Sequence, residues 1–299
     1  MKYVDQKGRC YEEETFQDKF LKLLYGTYIG RIKLKILTKP WISRLGGLFL
    51  STGFSKCLIE RFVRKNKIDM REYEDRIYTS YNDFFTRRIK PGKRLLPENQ
   101  DILFSPCDCK ASAYRITEDT SFCVKDTVYT VESLLRSRKI ADHFRNGYAV
   151  ILRLTVDDYH RYCYFDNGTK SRNYFIKGAY HTVNPTANNY VSVYKENARE
   201  FTMMKTEHFG DAVQMEVGAL MVGRIVNHHE EGIMHRGMEK GYFEFGGSTI
   251  VLLFRGDKVE IDECLLERTK DGCETKLKQG QRLGMAKKQS LQSDMIPLK

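Results

Sequence analysis

Two textures divide the chain. From residue 15 to 67, apolar residues and basic residues recur at intervals of three and four. FQDKFLKLLYGTYIGRIKLKIL mixes Phe, Leu, Tyr and Ile with Lys and Arg. Pro40 interrupts it, and WISRLGGLFLSTGFSKCLIERFVRKNK resumes with Trp41, Leu45, Leu48 and Phe49 apolar and Gly46-Gly47 weakening the helix. That period predicts amphipathic helices. IDMREYEDRIYTSYNDFFTRRIKPGKRLLP, from residue 68, is mixed and ends in a basic Pro-Gly turn. Beyond about residue 100 come short β-branched and aromatic runs, YAVILRLTV, AVQMEVGALMVGRIV, YFEFGG and TIVLLF, with Gly, Asn and Asp between them. These predict strands. The chain therefore reads as α+β, with a helical region over 1–80 and a β-rich domain over 81–299.

Charge sharpens the first texture. The net charge is +11, and residues 19–67 hold 12 Lys or Arg against a single acid, Glu60. Such asymmetry suits an anionic partner, nucleic acid or an acidic lipid surface. No helix-turn-helix, finger or RNP signature supports nucleic acid. A basic helix with Trp, Phe and Leu on its other face suits the plane of a membrane interface, while for any one helix packing on its own domain is an equal alternative. No apolar stretch reaches 18 residues and the N-terminus has no secretory pattern, so a cytosol-facing protein is expected. The eight cysteines form no Cys-x-x-Cys pair and match no zinc spacing, which predicts reduced thiols in packing roles and no metal.

Three polar clusters interrupt the β-rich part: SPCDCK with Asp108; TVDDYHRYCY with Asp157, Asp158, His160 and Cys163; and the GGST turn with Ser248. An acid, a histidine and a serine are the parts of an activated hydroxyl, whatever their order in the chain. Each also has a plain reading, as a turn former, a hydrogen-bonded loop histidine or a turn serine. The absence of G-x-S-x-G disfavours an α/β-hydrolase, and GGST lacks the lysine of a P-loop.

In ordered blocks the sequence resembles the phosphatidylserine decarboxylase family. NDFFTRRIKPGKR (82–94) is similar to its FF-x-R-x-hKPG-x-R segment, SPCDCK (105–110) to its aspartate loop, and LTVDDYHRYCYFDNG (154–168) to its DYHR block. YHTVNP (180–185), YKENARE (194–200), VGALMVGRI (217–225) and KGYFEFGGSTIVLLF (240–254) resemble further blocks, the last carrying the cleavage motif of the shorter bacterial GGST branch.

The resemblance implies that Ser248 attacks the carbonyl of Gly247, converts the amide to an ester and, after elimination and loss of ammonia, becomes a covalent pyruvoyl group. The products are a β-chain, 1–247, and an α-chain, 248–299, held as a heterodimer. The pyruvoyl group then takes the amine of phosphatidylserine as a Schiff base and releases carbon dioxide, giving phosphatidylethanolamine. Carried over residue by residue, the implied catalytic set is Asp108, His160 and Ser248, with His160 as base and Asp108 orienting it. Two departures stand out: Cys163 occupies the place of a second family histidine, and Cys109 that of a common glycine. Cys163 and His181 are therefore candidate auxiliaries. The implied location is the cytoplasmic face of the cell membrane, peripheral, with the basic N-terminal region on an anionic surface and no nucleic-acid partner. A non-catalytic anionic-lipid-binding relative is the alternative.

Overall fold

The computed structural model describes residues 2–5, 8–12, 24–38, 40–124, 127–182, 191–218, 224–244 and 248–287. In chain order the strands are β1 (Lys2–Val4), β2 (Cys10–Glu12), β3 (Ile102–Phe104), β4 (Cys109–Arg115), β5 (Ser121–Val124), β6 (Thr127–Thr130), β7 (Tyr148–Leu154), β8 (Arg161–Cys163), β9 (Gly168–Lys170), β10 (Tyr174–Ile176), β11 (Arg199–Thr206), β12 (Gly210–Val217), β13 (Ile225–Asn227), β14 (Gly232–Met234), β15 (Glu239–Phe243), β16 (Ser248–Phe254), β17 (Val259–Ile261), β18 (Cys273–Leu277) and β19 (Arg282–Ala286). The α-helices are α1 (Tyr28–Leu37), α2 (Pro40–Leu50), α3 (Cys57–Asn66), α4 (Tyr81–Phe85), α5 (Val131–Leu135), α6 (Arg138–Asp142), α7 (Val193–Glu196) and α8 (Glu263–Lys270).

One large sheet runs in the order β14-β9-β11-β12-β16-β7-β4-β18-β1-β2, with β10 added on β11. Its central strands, YAVILRL and STIVLLF, are buried along their whole length. They lack polar alternation because both faces are covered. Ile151, Val251 and Leu253 face a core closed by α5, α6 and α7. Val150, Leu152, Ile250 and Leu252 face the opposite core, which contains Tyr162 of β8, Phe243 of β15 and Leu265 of α8. The second layer there includes two small sheets, β13-β15-β8 and β17-β19-β3. The α+β class expected from the two textures is the observed one.

The N-terminal region is helical from α1 to α3, but it begins with two strands. β1 pairs in parallel with β18 and antiparallel with β2. Three-residue segments, KYV and CYE, are too short to carry a period, and a pairing partner about 270 residues away is a tertiary choice. Helices α2 and α3 dock through Leu50, Ile59, Phe62 and Val63 onto Phe84 and Phe85 of α4. Their other side leaves Trp41, Leu48, Phe49 and Phe54 exposed, Phe54 at 86%. Among the described residues no helix is long and apolar enough to cross a membrane.

Candidate active site

The site lies on one rim of the large sheet. The register places the start of β11, the end of β12, the start of β16, the end of β7, the start of β4 and the end of β18 side by side: Arg199 opposite Val217, Val217 opposite Thr249, Ser248 opposite Leu154, Lys110 opposite Arg153, and Leu277 opposite Cys109. Ser248 therefore opens β16, and Asp108 stands just before β4. With β7 between them, their strands are roughly 10 Å apart. The loop carrying Asp157, Asp158 and His160 rises from the end of that intervening strand.

Two connections leave this rim together for the small sheet below. β7 pairs with β16, and β8 pairs with β15. At the far end the Phe243 N–H donates to the His160 carbonyl at 3.0 Å. Residues 155–159 therefore cross from the large sheet to the small one, between β7 and β8. Gly246 and Gly247 fall outside the described residues. Ser248 shares the sheet face of Ile250 and Leu252, because side chains alternate along a strand. That face is the one toward β8 and β15.

His160 is fully buried, its ring 4.0 Å from that of Phe85. Its Nδ1 donates to the carbonyl of Asp158 at 3.0 Å, which leaves Nε2 as the unprotonated nitrogen. Nε2 is buried and has no hydrogen-bond partner among the described residues; the same holds for Ser248 Oγ. Burial, and then the charge of Arg87, lowers the histidine to a pKa of about 3. It is a neutral imidazole at physiological pH.

The neighbouring carboxyl moves the other way. Burial and the charge of Asp157 push Asp158 up to about 6, although its Oδ2 accepts from the Thr155 N–H and hydroxyl, both at 2.7 Å. These two shifts have opposite effects on stability. The unfolded chain protonates His160 below about pH 6.5 and the folded chain does not, so stability falls as pH drops from 6.5 toward 3. Asp158 takes its proton first in the folded chain, so its contribution improves as pH drops from 6 toward 3.8. His160→Asn removes the first effect only. Its stability relative to the parent should improve by about 1.4 kcal/mol per pH unit between pH 6 and 4.5. Denaturant titrations with and without His160→Asn, both on a Ser248→Ala background that keeps the protein one chain, check this across that range, and parallel pH slopes would count against the buried neutral histidine.

Asp108 is held differently from the orienting role implied by the resemblance. Its oxygens accept a fork from Arg94, with Nε at 2.8 Å, and the Gln279 N–H at 2.8 Å. Arg94 also binds Glu72, which Lys278 caps at 2.8 Å. No hydrogen bond joins Asp108 to His160 among the described residues. A backbone carbonyl, of Asp158, orients the imidazole instead.

Cys163 is buried, and burial pushes its thiol up to about 12, so it stays protonated. Its backbone N–H donates to Pro106 O at 3.0 Å, and Sγ lies 3.5 Å from the same oxygen. Gln279 Nε2 also donates to Pro106 O, at 3.0 Å. The thiol in the second histidine's place thus braces the Asp108 loop. His181 sits on the far side of the rim. Its Nδ1 is 3.3 Å from Tyr25 Oη, and its backbone is clasped by Asn197, which also donates to Gly218 O at 2.7 Å.

The charged residues that reasoning from sequence missed are Arg87, Arg94 and Lys240. The two arginines stand in the NDFFTRRIKPGKR block, which was a visible signal without a visible role. Lys240 is wholly buried at a bulge in β15 and donates to Glu216 Oε1 and Oε2 on β12 at 2.8 and 2.9 Å and to Asn227 Oδ1 at 2.7 Å. It clamps the small sheet to the large one. A cleft of about 210 Å³ opens next to the Asp108 side of the rim, lined by Tyr73, Asp157, Asp158, Arg94, Lys67 and Lys276 among others.

Ser248, at the start of β16, and His160, just before β8, are both buried with an open hydrogen-bonding valence among the described residues, and a serine hydroxyl and a neutral histidine are two parts of a hydroxyl-activating enzyme. Comparison with known proteins gives the particular class. Residues 81–287 match the family model for phosphatidylserine decarboxylase. The chain is 44% identical over 275 residues to phosphatidylserine decarboxylase proenzyme 2 of Clostridium acetobutylicum, covering 92% of this chain and 94% of that one. It is 37% identical to the phosphatidylserine decarboxylase proenzyme of Ruminiclostridium cellulolyticum over 94% of this chain and 96% of that one. The proenzyme of Clostridium botulinum strain Alaska E43 is 38% identical, over 95% and 98%. The chain belongs to the phosphatidylserine decarboxylase family and is an enzyme of that class.

Proposed function

We propose that the chain is a proenzyme that cuts itself between Gly247 and Ser248 and then decarboxylates phosphatidylserine to phosphatidylethanolamine. The observation that carries this reading is the pair of open valences, Ser248 Oγ and His160 Nε2, both buried without a partner among the described residues of a family member. The word proenzyme in the relatives' names supports processing.

In the cleavage, His160 Nε2 takes the hydroxyl proton as Oγ forms a bond to the Gly247 carbonyl carbon. The peptide C–N bond breaks, the nitrogen is protonated, and an ester remains. Loss of the Ser248 α-proton expels the Gly247 carboxylate. The resulting enamine hydrolyses with release of ammonia, leaving the pyruvoyl group at residue 248. The Asp158 carbonyl keeps Nδ1 protonated and Nε2 free throughout. That tautomer is the one required of a base acting through Nε2.

The residues present fit a pyruvoyl group at this position. Ser248 is its source, and the strand start that carries it is buried. When formed, the group supplies an electron sink for the bond to carbon dioxide. In this reading His160, whose ring lies 4.0 Å from that of Phe85, also moves the proton at the substrate α-carbon. The two products should remain one particle: β16 lies between β12 and β7, and β18 between β4 and β1, all four neighbours belonging to residues 1–247.

The exposed apolar side of α2 and the following turn, on a basic region, supports peripheral docking on an anionic cytoplasmic membrane surface. Replacing Trp41, Leu48 and Phe49 with Ser removes about 1.5–3 kcal/mol of burial each. Flotation with phosphatidylserine-containing vesicles should then show binding weakened by more than about a hundredfold; unchanged flotation would place the docking surface elsewhere. The reaction itself is tested by release of labelled carbon dioxide from carboxyl-labelled phosphatidylserine. Lipid binding without that release would favour the non-catalytic alternative.

A further inference from the structure

Three consecutive residues, at the end of α4 and just past it, grip the loop that carries His160. The Phe85 ring lies 4.0 Å from that of His160. The Thr86 carbonyl accepts from Arg161 Nε at 2.9 Å. Arg87 Nη2 donates to the carbonyls of Asp157 and Asp158 and to Tyr73 Oη, each at 3.3 Å. The Asp158 carbonyl therefore has two donors, Arg87 Nη2 and His160 Nδ1. A guanidinium keeps its protons at any ordinary pH, whereas the place of the imidazole proton is set by the partner its ring finds. Arg87 is thus the fixed member of the pair, and the carbonyl it holds favours a proton on Nδ1.

The charge of Arg87 acts in the same direction. The side chain is 1% exposed and pairs with no carboxylate among the described residues. Buried Arg153, by contrast, forks onto Glu274. The Arg87 guanidinium carbon lies 4.3 Å from the Tyr73 ring centroid and 4.9 Å from that of Phe84. Those rings hold the cation without neutralising it. The other charged groups near the imidazole belong to its own loop and face elsewhere. Asp158 turns its carboxylate to the Thr155 N–H and hydroxyl, and Arg161 turns to the Thr86 carbonyl and Glu239. After burial itself, Arg87 is the influence that keeps a second proton off the ring. A proton taken from Ser248 Oγ is then handed on to the departing peptide nitrogen rather than kept.

We propose that Arg87 is a positioning residue for His160: it fixes the Asp158 carbonyl, so that the imidazole stays neutral with its proton on Nδ1 and with Nε2 open. The role rests on the self-cutting reading above and is exerted through the carbonyl and the field of the guanidinium.

The test reads the ring directly, by the nitrogen NMR signals of His160 in Ser248→Ala, with His160→Asn identifying them. Ser248→Ala should show a neutral ring with its proton on Nδ1 from pH 8 to 5. Adding Arg87→Met should move part of that proton to Nε2. With Ser248 intact, Arg87→Met should slow cutting about tenfold or more, and Arg87→Lys, a charged donor, should restore part of the rate. A Ser248→Ala ring protonated on Nε2 would overturn the proposal. So would an unchanged ring in Arg87→Met, however slowly that variant cuts, because the loss would then be one of fold alone. Should Arg87→Met fail to fold, Arg87→Gln keeps a donor without the charge, and the protonation midpoint of the ring should rise by about one pH unit or more; an unmoved midpoint would then overturn the proposal. The expected ring response in a protein that never cuts itself would sink the self-cutting reading and leave the hold of Arg87 on His160 standing.

Discussion

Ser248→Ala should leave a single uncut chain of 299 residues with no decarboxylase activity. The effect is total because the serine supplies both the attacking oxygen and all three carbons of the group that follows. Threonine at this position adds a methyl to that group, and cysteine changes the leaving atom. His160→Asn is expected to behave differently: it removes the base but leaves the hydroxyl in place, so cutting should slow by about 10²–10⁴-fold and remain measurable. A time course on denaturing gels separates the two outcomes. Normal cutting of Ser248→Ala would end the mechanism, whereas normal cutting of His160→Asn would transfer the base role to another group. Cys163, whose thiol burial holds protonated, is a poor heir to that role.

The second large effect is on stability. Lys240→Met should cost about 3–5 kcal/mol, because it leaves the Glu216 carboxylate buried without its cation. Burial already raises the pKa of that carboxylate, so part of the loss will appear as proton uptake by Glu216. The double variant Lys240→Met/Glu216→Gln should recover most of the loss, since removing both charges removes the desolvation cost. Denaturant titrations on the Ser248→Ala background keep the protein one chain during the measurement. A loss below about 1 kcal/mol would mean that the small sheet is held to the large one by apolar packing alone.

How much of this was legible in the chain depends on the range of the forces involved. The two central strands could be read from STIVLLF and YAVILRL, because burial on both faces writes an unbroken apolar run. The helices α1 to α3 could be read from their period. β1 and β2 could not, since their pairing with β18 is long-range. At the site, His160 and Ser248 were visible as residue types, but their placement follows from the pairing of β7 with β16 and of β8 with β15, which no local pattern encodes. The group orienting His160 is a backbone carbonyl and leaves no mark in the sequence. Arg94 and Arg87 stand seven residues apart in one recognisable block, and only the fold separates them, one onto Asp108 and one onto the carbonyls of Asp157 and Asp158. Lys240 carried no signal in the sequence, and its burial depends on a bulge in β15 and a glutamate on the facing sheet.

The central claim is that the chain cuts itself at Ser248 and turns that residue into a pyruvoyl group. Intact mass spectrometry of the purified protein measures both events at once. Self-processing predicts two polypeptides, residues 1–247 with a free carboxylate and residues 248–299 lighter by one ammonia than a chain beginning with serine. A single full-length mass, or a second polypeptide that begins with an unmodified serine, would contradict it.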